Sequence, residues 1–84
     1  MLDKTNIFDI KDINSMLVKS TLGEVKDALE EKGYNAINQL VGYLISGDPG
    51  YISNYKDSRK KISKLDRTEI IENLLHSYLE KWDI

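Results

Sequence analysis

The feature that most limits the fold is a run of helix-ending and helix-starting signals between residues 31 and 52. Gly33 can adopt the left-handed conformation that commonly ends a helix, and Asn35 then offers a side chain that can cap the next one. Gly47 repeats the ending signal, and Asp48-Pro49 repeats the start, with proline at the first helical position. These signals divide the chain into short helices.

The patterns on either side of this run complete an all-α prediction of about five short helices. The predicted helices cover residues 14–32, 36–46, 49–53, 56–65 and 67–81. The first is expected to start at Asn14 or Ser15, with Asn14 as its N-cap, and Gly23 leaves a break or kink open in its middle. For the second, the helical spacing predicts a buried face formed by Ile37, Leu40, Val41, Leu44 and Ile45. Asp66 and Glu69 form a variant of the capping box before the last.

The last predicted helix has the clearest amphipathic pattern in the chain. Its apolar residues recur at helical spacing: Ile70, Ile71, Leu74, Leu75, Tyr78, Leu79 and Trp82. A chain of 84 residues buries a limited fraction of its surface, and so wide a stripe exceeds what its own core covers. We therefore expect a compact helical bundle that is homodimeric.

The start of the chain differs from the rest. Residues 1–12 are mostly polar and are expected to form a mobile N-terminal arm, with residues 13–84 as a single helical domain. No signal peptide pattern is visible at the N-terminus. The longest apolar run, residues 40–45, is far shorter than the roughly 20 residues of a membrane span. These observations predict a soluble cytoplasmic protein without membrane insertion.

The charges are unevenly distributed around a net charge of −2. Half of the twelve basic residues lie in the segment 56–67: Lys56, Arg59, Lys60, Lys61, Lys64 and Arg67. Such a segment is a solvated helix face, a surface for a protein or phosphate partner, or part of a helix-turn-helix-like nucleic-acid binder. The net acidic balance argues against the nucleic-acid binder, which normally shows a basic footprint.

The sequence offers no set of residues typical of catalysis or of cofactor binding. His76 is the only histidine and the chain has no cysteine, so a tetrahedral zinc site is not expected. The segment from Gly42 to Gly47 is not followed by the lysine and Ser/Thr of a phosphate-binding loop. We therefore expect no catalytic residues, no cofactor and no metal.

Several blocks together resemble one known family. They are Glu31-Lys32-Gly33-Tyr34-Asn35, Val41-Gly42-Tyr43-Leu44 followed by Ser46-Gly47-Asp48-Pro49, then Lys56-Asp57 with Arg59, and Glu69-Ile70-Ile71-Glu72. Their order and spacing resemble the IreB family of small bacterial regulatory phosphoproteins, called ReoM in some species. The resemblance covers about three quarters of the chain, from the middle of the first predicted helix to near the C-terminus.

The resemblance implies a helical homodimer that regulates rather than catalyses. In this family a threonine of the N-terminal arm is phosphorylated by a membrane-anchored Ser/Thr kinase, and a cognate phosphatase reverses the reaction. The unmodified protein restrains peptidoglycan synthesis. In some members it promotes ATP-dependent proteolysis of the enzyme that commits UDP-N-acetylglucosamine to the cell wall. The implied partners are therefore the kinase, the phosphatase, and an ATP-dependent protease or its adaptor.

By this resemblance the phosphoacceptor corresponds to Thr5, and the arginine-rich partner surface corresponds to Arg59 and Arg67. Lys60 and Lys64 are expected to assist those arginines. A phosphate on the arm could bind this basic segment through charge-assisted hydrogen bonds. The alternative that the residues leave open is a constitutive protein-interaction module without a phosphoswitch.

The basic segment also departs from the family pattern. The family commonly has arginine at the positions of Asn54, Ser63 and Lys64, and proline at those of Ala36 and Ser53. Lysine cannot reproduce the bidentate fork of arginine. The basic face is therefore thinner and richer in lysine than is typical of the family.

Overall fold

Four α-helices and two short 3₁₀ turns make up the computed structural model, which describes residues 10–80, with side-chain surroundings for residues 12–80. The helices are α1 (Ile10–Glu31), α2 (Ala36–Ser46), α3 (Ser58–Ser63) and α4 (Arg67–Glu80). The 3₁₀ turns are Pro49–Tyr51 and Tyr55–Asp57. The all-α prediction is confirmed. The third predicted helix, at residues 49–53, is only a 3₁₀ turn, and no strand occurs in the described part.

The first helix begins earlier than predicted. α1 already includes Ile10, so the predicted N-cap at Asn14 is wrong. Asn14 lies inside the helix, and its Nδ2 donates to Glu69 Oε2 on α4 at 3.2 Å. The helix also continues through Gly23 without the break that the sequence left open. Residues 1–9 of the expected arm lie outside the described residues.

The predicted caps of the central helix are confirmed. The Asn35 side chain accepts from the backbone N–H of Asn38 at 3.0 Å and so begins α2. Gly47 ends it in the left-handed conformation, with φ of +77° and its N–H bonded to Tyr43 O at 2.7 Å. Asp48 then caps the Pro49–Tyr51 turn by accepting from Gly50 N at 2.8 Å. Each cap uses residues only a few positions apart, which is why local sequence predicts them.

The core lies where α1, α2, α3 and the start of α4 meet. Eight buried side chains form it: Val18, Val25, Leu29, Ala36, Tyr43, Ile52, Ile62 and Ile70. Leu22, Leu40, Leu44 and Leu65 pack against this cluster while half-buried. Since every helix contributes at least one buried residue, the core fixes α3 and its basic side chains relative to the rest of the chain.

The buried face of α2 is not the one that the spacing predicts. Ala36 and Tyr43 are buried, whereas Ile37, Val41 and Ile45 are 62%, 47% and 79% exposed. α2 contains no charged residue, so its apolar residues run around most of its circumference. The core of one chain covers only one of these sides, and the expectation that Ile37, Val41 and Ile45 face the core is wrong.

The apolar stripe of α4 is also largely uncovered in the single chain. Only Ile70 of this helix is buried. Five further members of the stripe are between 38% and 64% exposed: Ile71, Leu74, Leu75, Tyr78 and Leu79. Trp82, the last residue of the predicted stripe, lies outside the described residues. A large apolar face therefore remains on α4 after the chain has folded.

Candidate partner-binding surface

Two buried residues orient the basic segment. Ser58 and Ile62 are both fully buried and hold one side of α3 against the core. The Ser58 hydroxyl donates to Tyr55 O at 2.7 Å, which satisfies its hydrogen-bonding requirement inside the protein. Since this side of α3 faces inward, its charged side chains project along the remaining sides.

Two of the six basic residues are paired with carboxylates of α1. Lys56 Nζ lies 2.8 Å from Glu31 Oε1, and Lys61 Nζ lies 3.6 Å from Glu24 Oε1. The hydrogen bond from Lys56 holds the pKa of the Glu31 carboxyl below its ordinary value, and the same bond raises the pKa of Lys56. These pairs are exposed and contribute little stability, but they neutralise much of the charge of the two lysines.

The two arginines instead bind backbone carbonyl groups. Arg59 Nε donates to Ile52 O at 2.9 Å, and Arg67 Nη1 donates to Leu44 O at 2.8 Å. Leu44 belongs to the last turn of α2, where a cation interacts favourably with the helix dipole. A carbonyl oxygen satisfies a donor but does not cancel the charge. Both guanidinium groups therefore keep a net positive charge at the surface.

The two remaining lysines are exposed, and within residues 12–80 neither ammonium group has a carboxylate within 4 Å. They are Lys60 and Lys64, one helical turn apart on α3 and its C-cap. The basic surface is defined here as the four basic residues of the segment 56–67 that have no carboxylate within 4 Å among the described residues: Arg59, Lys60, Lys64 and Arg67. These are the four residues that the sequence predicts for partner binding, and that role stays a prediction.

Arg67 also has a structural role that the sequence does not indicate. Its guanidinium lies over Gly47, where an added Cβ would come within 2.8 Å of Cζ. Together with the bond to Leu44 O, this contact joins the start of α4 to the end of α2. An effect of changing Arg67 on partner binding therefore has to be separated from an effect on stability.

We expect Arg67→Ala to lower the free energy of unfolding by about 1–2 kcal/mol, because a charge-assisted hydrogen bond to a half-buried carbonyl is lost. Lys64→Ala removes the same charge without a hydrogen bond and is expected to change stability by less than about 0.5 kcal/mol. Urea unfolding of the two variants at equal protein concentration measures both. An equal decrease of the free energy of unfolding in the two variants would show that the hydrogen bond from Arg67 to Leu44 O does not stabilise the fold.

The predicted phosphoacceptor is not part of the described structure. Thr5 precedes Ile10, the first residue of α1, by five positions and lies outside the described residues. The structure therefore neither brings Thr5 to the basic surface nor separates the two.

A second feature is an open groove between the first half of α1 and α4. Its volume is about 410 Å³, and it is lined by Asp12, Asn14, Ser15, Glu69, Glu72, Asn73 and His76. His76 Nδ1 lies 2.9 Å from Glu80 Oε2, one turn further along α4. In the described part of the chain, no group of three or more His, Cys, Asp or Glu side chains is placed to hold a metal ion.

Among residues 10–80, no helix combines the length and the apolar character needed to cross a bilayer.

A family model described as IreB regulatory phosphoprotein matches residues 3–80, which is nearly the whole chain. The matched region includes all four helices, the basic surface and the position of Thr5.

Proposed function

Because the chain belongs to the IreB family of regulatory phosphoproteins, we propose that it is a non-enzymatic, cytoplasmic regulator of peptidoglycan synthesis. In this proposal a membrane-anchored Ser/Thr kinase phosphorylates Thr5, and a cognate phosphatase removes the phosphate. The unmodified protein restrains synthesis through an ATP-dependent protease or its adaptor. Phosphorylation relieves the restraint, and neither a cofactor nor a nucleic acid takes part.

The observation that carries this proposal is the basic surface. Arg59 and Arg67 are held in place by backbone carbonyls, whereas Lys60 and Lys64 are exposed. Uncompensated cations on a folded surface favour ligands with carboxylate or phosphate groups. A partner protein with acidic side chains and a phosphorylated threonine of the arm both have this chemistry, which supports a regulator that acts by binding.

A charge change at Thr5 gives the switch a physical basis. A phosphate at this position adds about −1.5 to −2 charges and three strong hydrogen-bond acceptors. It competes with the carboxylates of a partner for the same arginines and lysines. The modification therefore changes which ligand the basic surface binds, without any chemistry performed by the protein itself.

We expect the cognate kinase and ATP to add one phosphate, roughly 80 Da, to the intact protein, and we expect Thr5→Ala to abolish this gain. Thr68→Ala is the matched control because Thr68 is the exposed threonine at the start of α4. Intact-mass spectrometry measures all three proteins. A phosphorylated species that persists in Thr5→Ala but disappears in Thr68→Ala would identify Thr68, not Thr5, as the phosphoacceptor. No phosphorylated species at all would favour the constitutive interaction module.

The homodimer is part of the same proposal and is supported by the uncovered face of α4. Three apolar residues of α1 are also exposed and lie on the half of that helix nearest α4: Ile13, Met16 and Leu17, at 41%, 62% and 52%. Ser15 and Lys19 of this half of α1 line one groove together with Leu74 and Ser77 of α4, so the two helices are neighbours here. We use the name α1–α4 face for the exposed apolar residues of these two helices taken together. Burying it against a second copy removes an apolar area that a soluble monomer rarely leaves exposed.

A further inference from the structure

A second apolar area lies on α2. Ile37, Val41 and Ile45 are spaced by four residues and form one line along the helix, which we call the α2 stripe. Their exposed fractions are 62%, 47% and 79%. No charged residue occurs between Ala36 and Ser46. An apolar line on a helix without any charge is typical of a contact surface rather than of a solvated one.

An aromatic ring is fixed beside this stripe. Tyr51 is 53% exposed, yet its ring packs on Gly42, where an added Cβ would come within 2.6 Å of Tyr51 Cδ1. Considering helix formation alone, a glycine inside a helix is less favourable than alanine by about 1 kcal/mol of free energy. Here the missing side chain makes room for the ring. Because the ring is already ordered, a partner that contacts it loses little conformational entropy, as at binding hot spots.

Two arginines of the basic surface are bonded to backbone next to members of this apolar area. Arg67 is bonded to the carbonyl of Leu44, the residue before Ile45. Arg59 is bonded to the carbonyl of Ile52, the residue after Tyr51. The two guanidinium groups are therefore attached to the same stretch of chain that presents Ile45 and Tyr51. Cationic groups are therefore held close to the backbone of two of these exposed apolar residues.

We propose that the α2 stripe, Tyr51 and the basic surface bind an acidic amphipathic helix of a protein partner. Apolar side chains of that helix contact Val41, Ile45 and Tyr51, and its carboxylates lie toward Arg59 and Arg67. This combination is the helix-in-groove type of recognition with a charged rim. It rests on the proposed function only in taking the basic surface as the place where a partner binds.

Charge decides against a second copy of this chain as the occupant. A two-fold contact through the α2 stripe would bring the arginines and lysines of one copy toward those of the other, and like charges repel. A closed dimer also needs only one self-complementary face, and the α1–α4 face has more exposed apolar residues than the α2 stripe. The α2 stripe is therefore left for a partner whose charge is opposite.

The experiment titrates the full-length protein with synthetic helical peptides of about five turns. The test peptide has leucines at helical spacing and glutamates elsewhere. One control peptide has lysines in place of the glutamates, and another has the same composition as the test peptide in scrambled order. NMR signals of the Ile37, Val41 and Ile45 methyl groups and of the Arg59 and Arg67 Nε–H groups report binding.

We expect only the acidic amphipathic peptide to shift these signals in a saturable way. Changing Val41 and Ile45 together to asparagine is expected to weaken its binding by about tenfold or more, because two apolar contacts are lost. Both residues are exposed, so the fold is retained, which circular dichroism checks. Tyr34→Asn removes an exposed aromatic residue that belongs neither to the α1–α4 face nor to the α2 stripe, and is expected to leave the affinity unchanged.

Three results would overturn the inference. They are no saturable binding of the acidic amphipathic peptide, equal binding of its scrambled form, and shifts confined to α4. Shifts of the α2 signals with protein concentration alone would also overturn it, since they would identify a second copy as the occupant. The kinase takes no part in this titration, so a failure of Thr5 phosphorylation is a separate outcome that concerns only the proposed function.

Discussion

Leu75→Asp is expected to convert the proposed homodimer into monomers. Leu75 is 53% exposed on α4 in the single chain and lies within the α1–α4 face. In a two-fold dimer each substitution acts twice, and each removes about 1.5–3 kcal/mol of apolar burial while forcing a carboxylate out of water. Sedimentation velocity or light scattering is expected to show the molecular mass fall to half.

The matched control for this prediction is Ile37→Asp on α2. Ile37 is 62% exposed and also apolar, so the substitution adds the same charge to a similar surface. We expect this variant to remain dimeric. If Ile37→Asp dissociates the protein and Leu75→Asp does not, the interface lies on α2. If the unchanged protein is a monomer at micromolar concentration, the homodimer proposal is refuted.

Ile62→Ala is expected to lower the free energy of unfolding by about 2–5 kcal/mol, the cost of deleting a fully buried aliphatic side chain. Ile62 is the buried residue through which α3 packs on the core. Because small domains are only marginally stable, such a loss leaves a substantial fraction of the chain unfolded. The basic surface is expected to lose its fixed geometry at the same time. Urea unfolding at a constant protein concentration measures the effect, since dimer stability depends on concentration.

Lys60→Ala serves as the control for this change. Lys60 lies on the same short helix but is exposed, so its removal is expected to alter the free energy of unfolding by less than about 0.5 kcal/mol. A small effect of Ile62→Ala, similar to that of Lys60→Ala, would show that α3 is not anchored through this residue.

The elements that the sequence predicts well are those whose causes are local. Asn35, Gly47 and Asp48 cap or end helices by bonds to residues no more than four positions away. The start of α1 could not be predicted in the same way. Asn14 is a good N-cap by type, but its amide bonds to Glu69, which is 55 positions away in the chain. A tertiary contact thus replaced the local one.

The orientation of α2 was beyond sequence reasoning for a different reason. Ala36, Leu40 and Tyr43 face the core, while Ile37 and Ile45 face outward. All of these residues are apolar, so hydrophobic spacing cannot distinguish the two sides. The absence of any charge on this helix was the available signal that its apolar residues are not confined to the buried side.

The sequence predicts that basic residues cluster in this segment, but it does not predict which of them are paired with carboxylates. Sequence shows six cations within twelve positions, 56–67. That Lys56 and Lys61 are neutralised depends on Glu31 and Glu24, which only the packing of α1 against the basic segment brings near. The backbone bonds of Arg59 and Arg67 likewise depend on tertiary structure. The distinction between compensated and uncompensated cations is therefore a property of the fold.

The contact between Gly47 and Arg67 has a consequence for how this protein can change over time. Gly47 provides the left-handed end of α2 and also leaves room for the guanidinium of Arg67. Any side chain at position 47 would displace the cation as well as strain the backbone. Mutations at these two positions are therefore epistatic, and the residue that ends α2 and the guanidinium that lies over it must evolve as a pair.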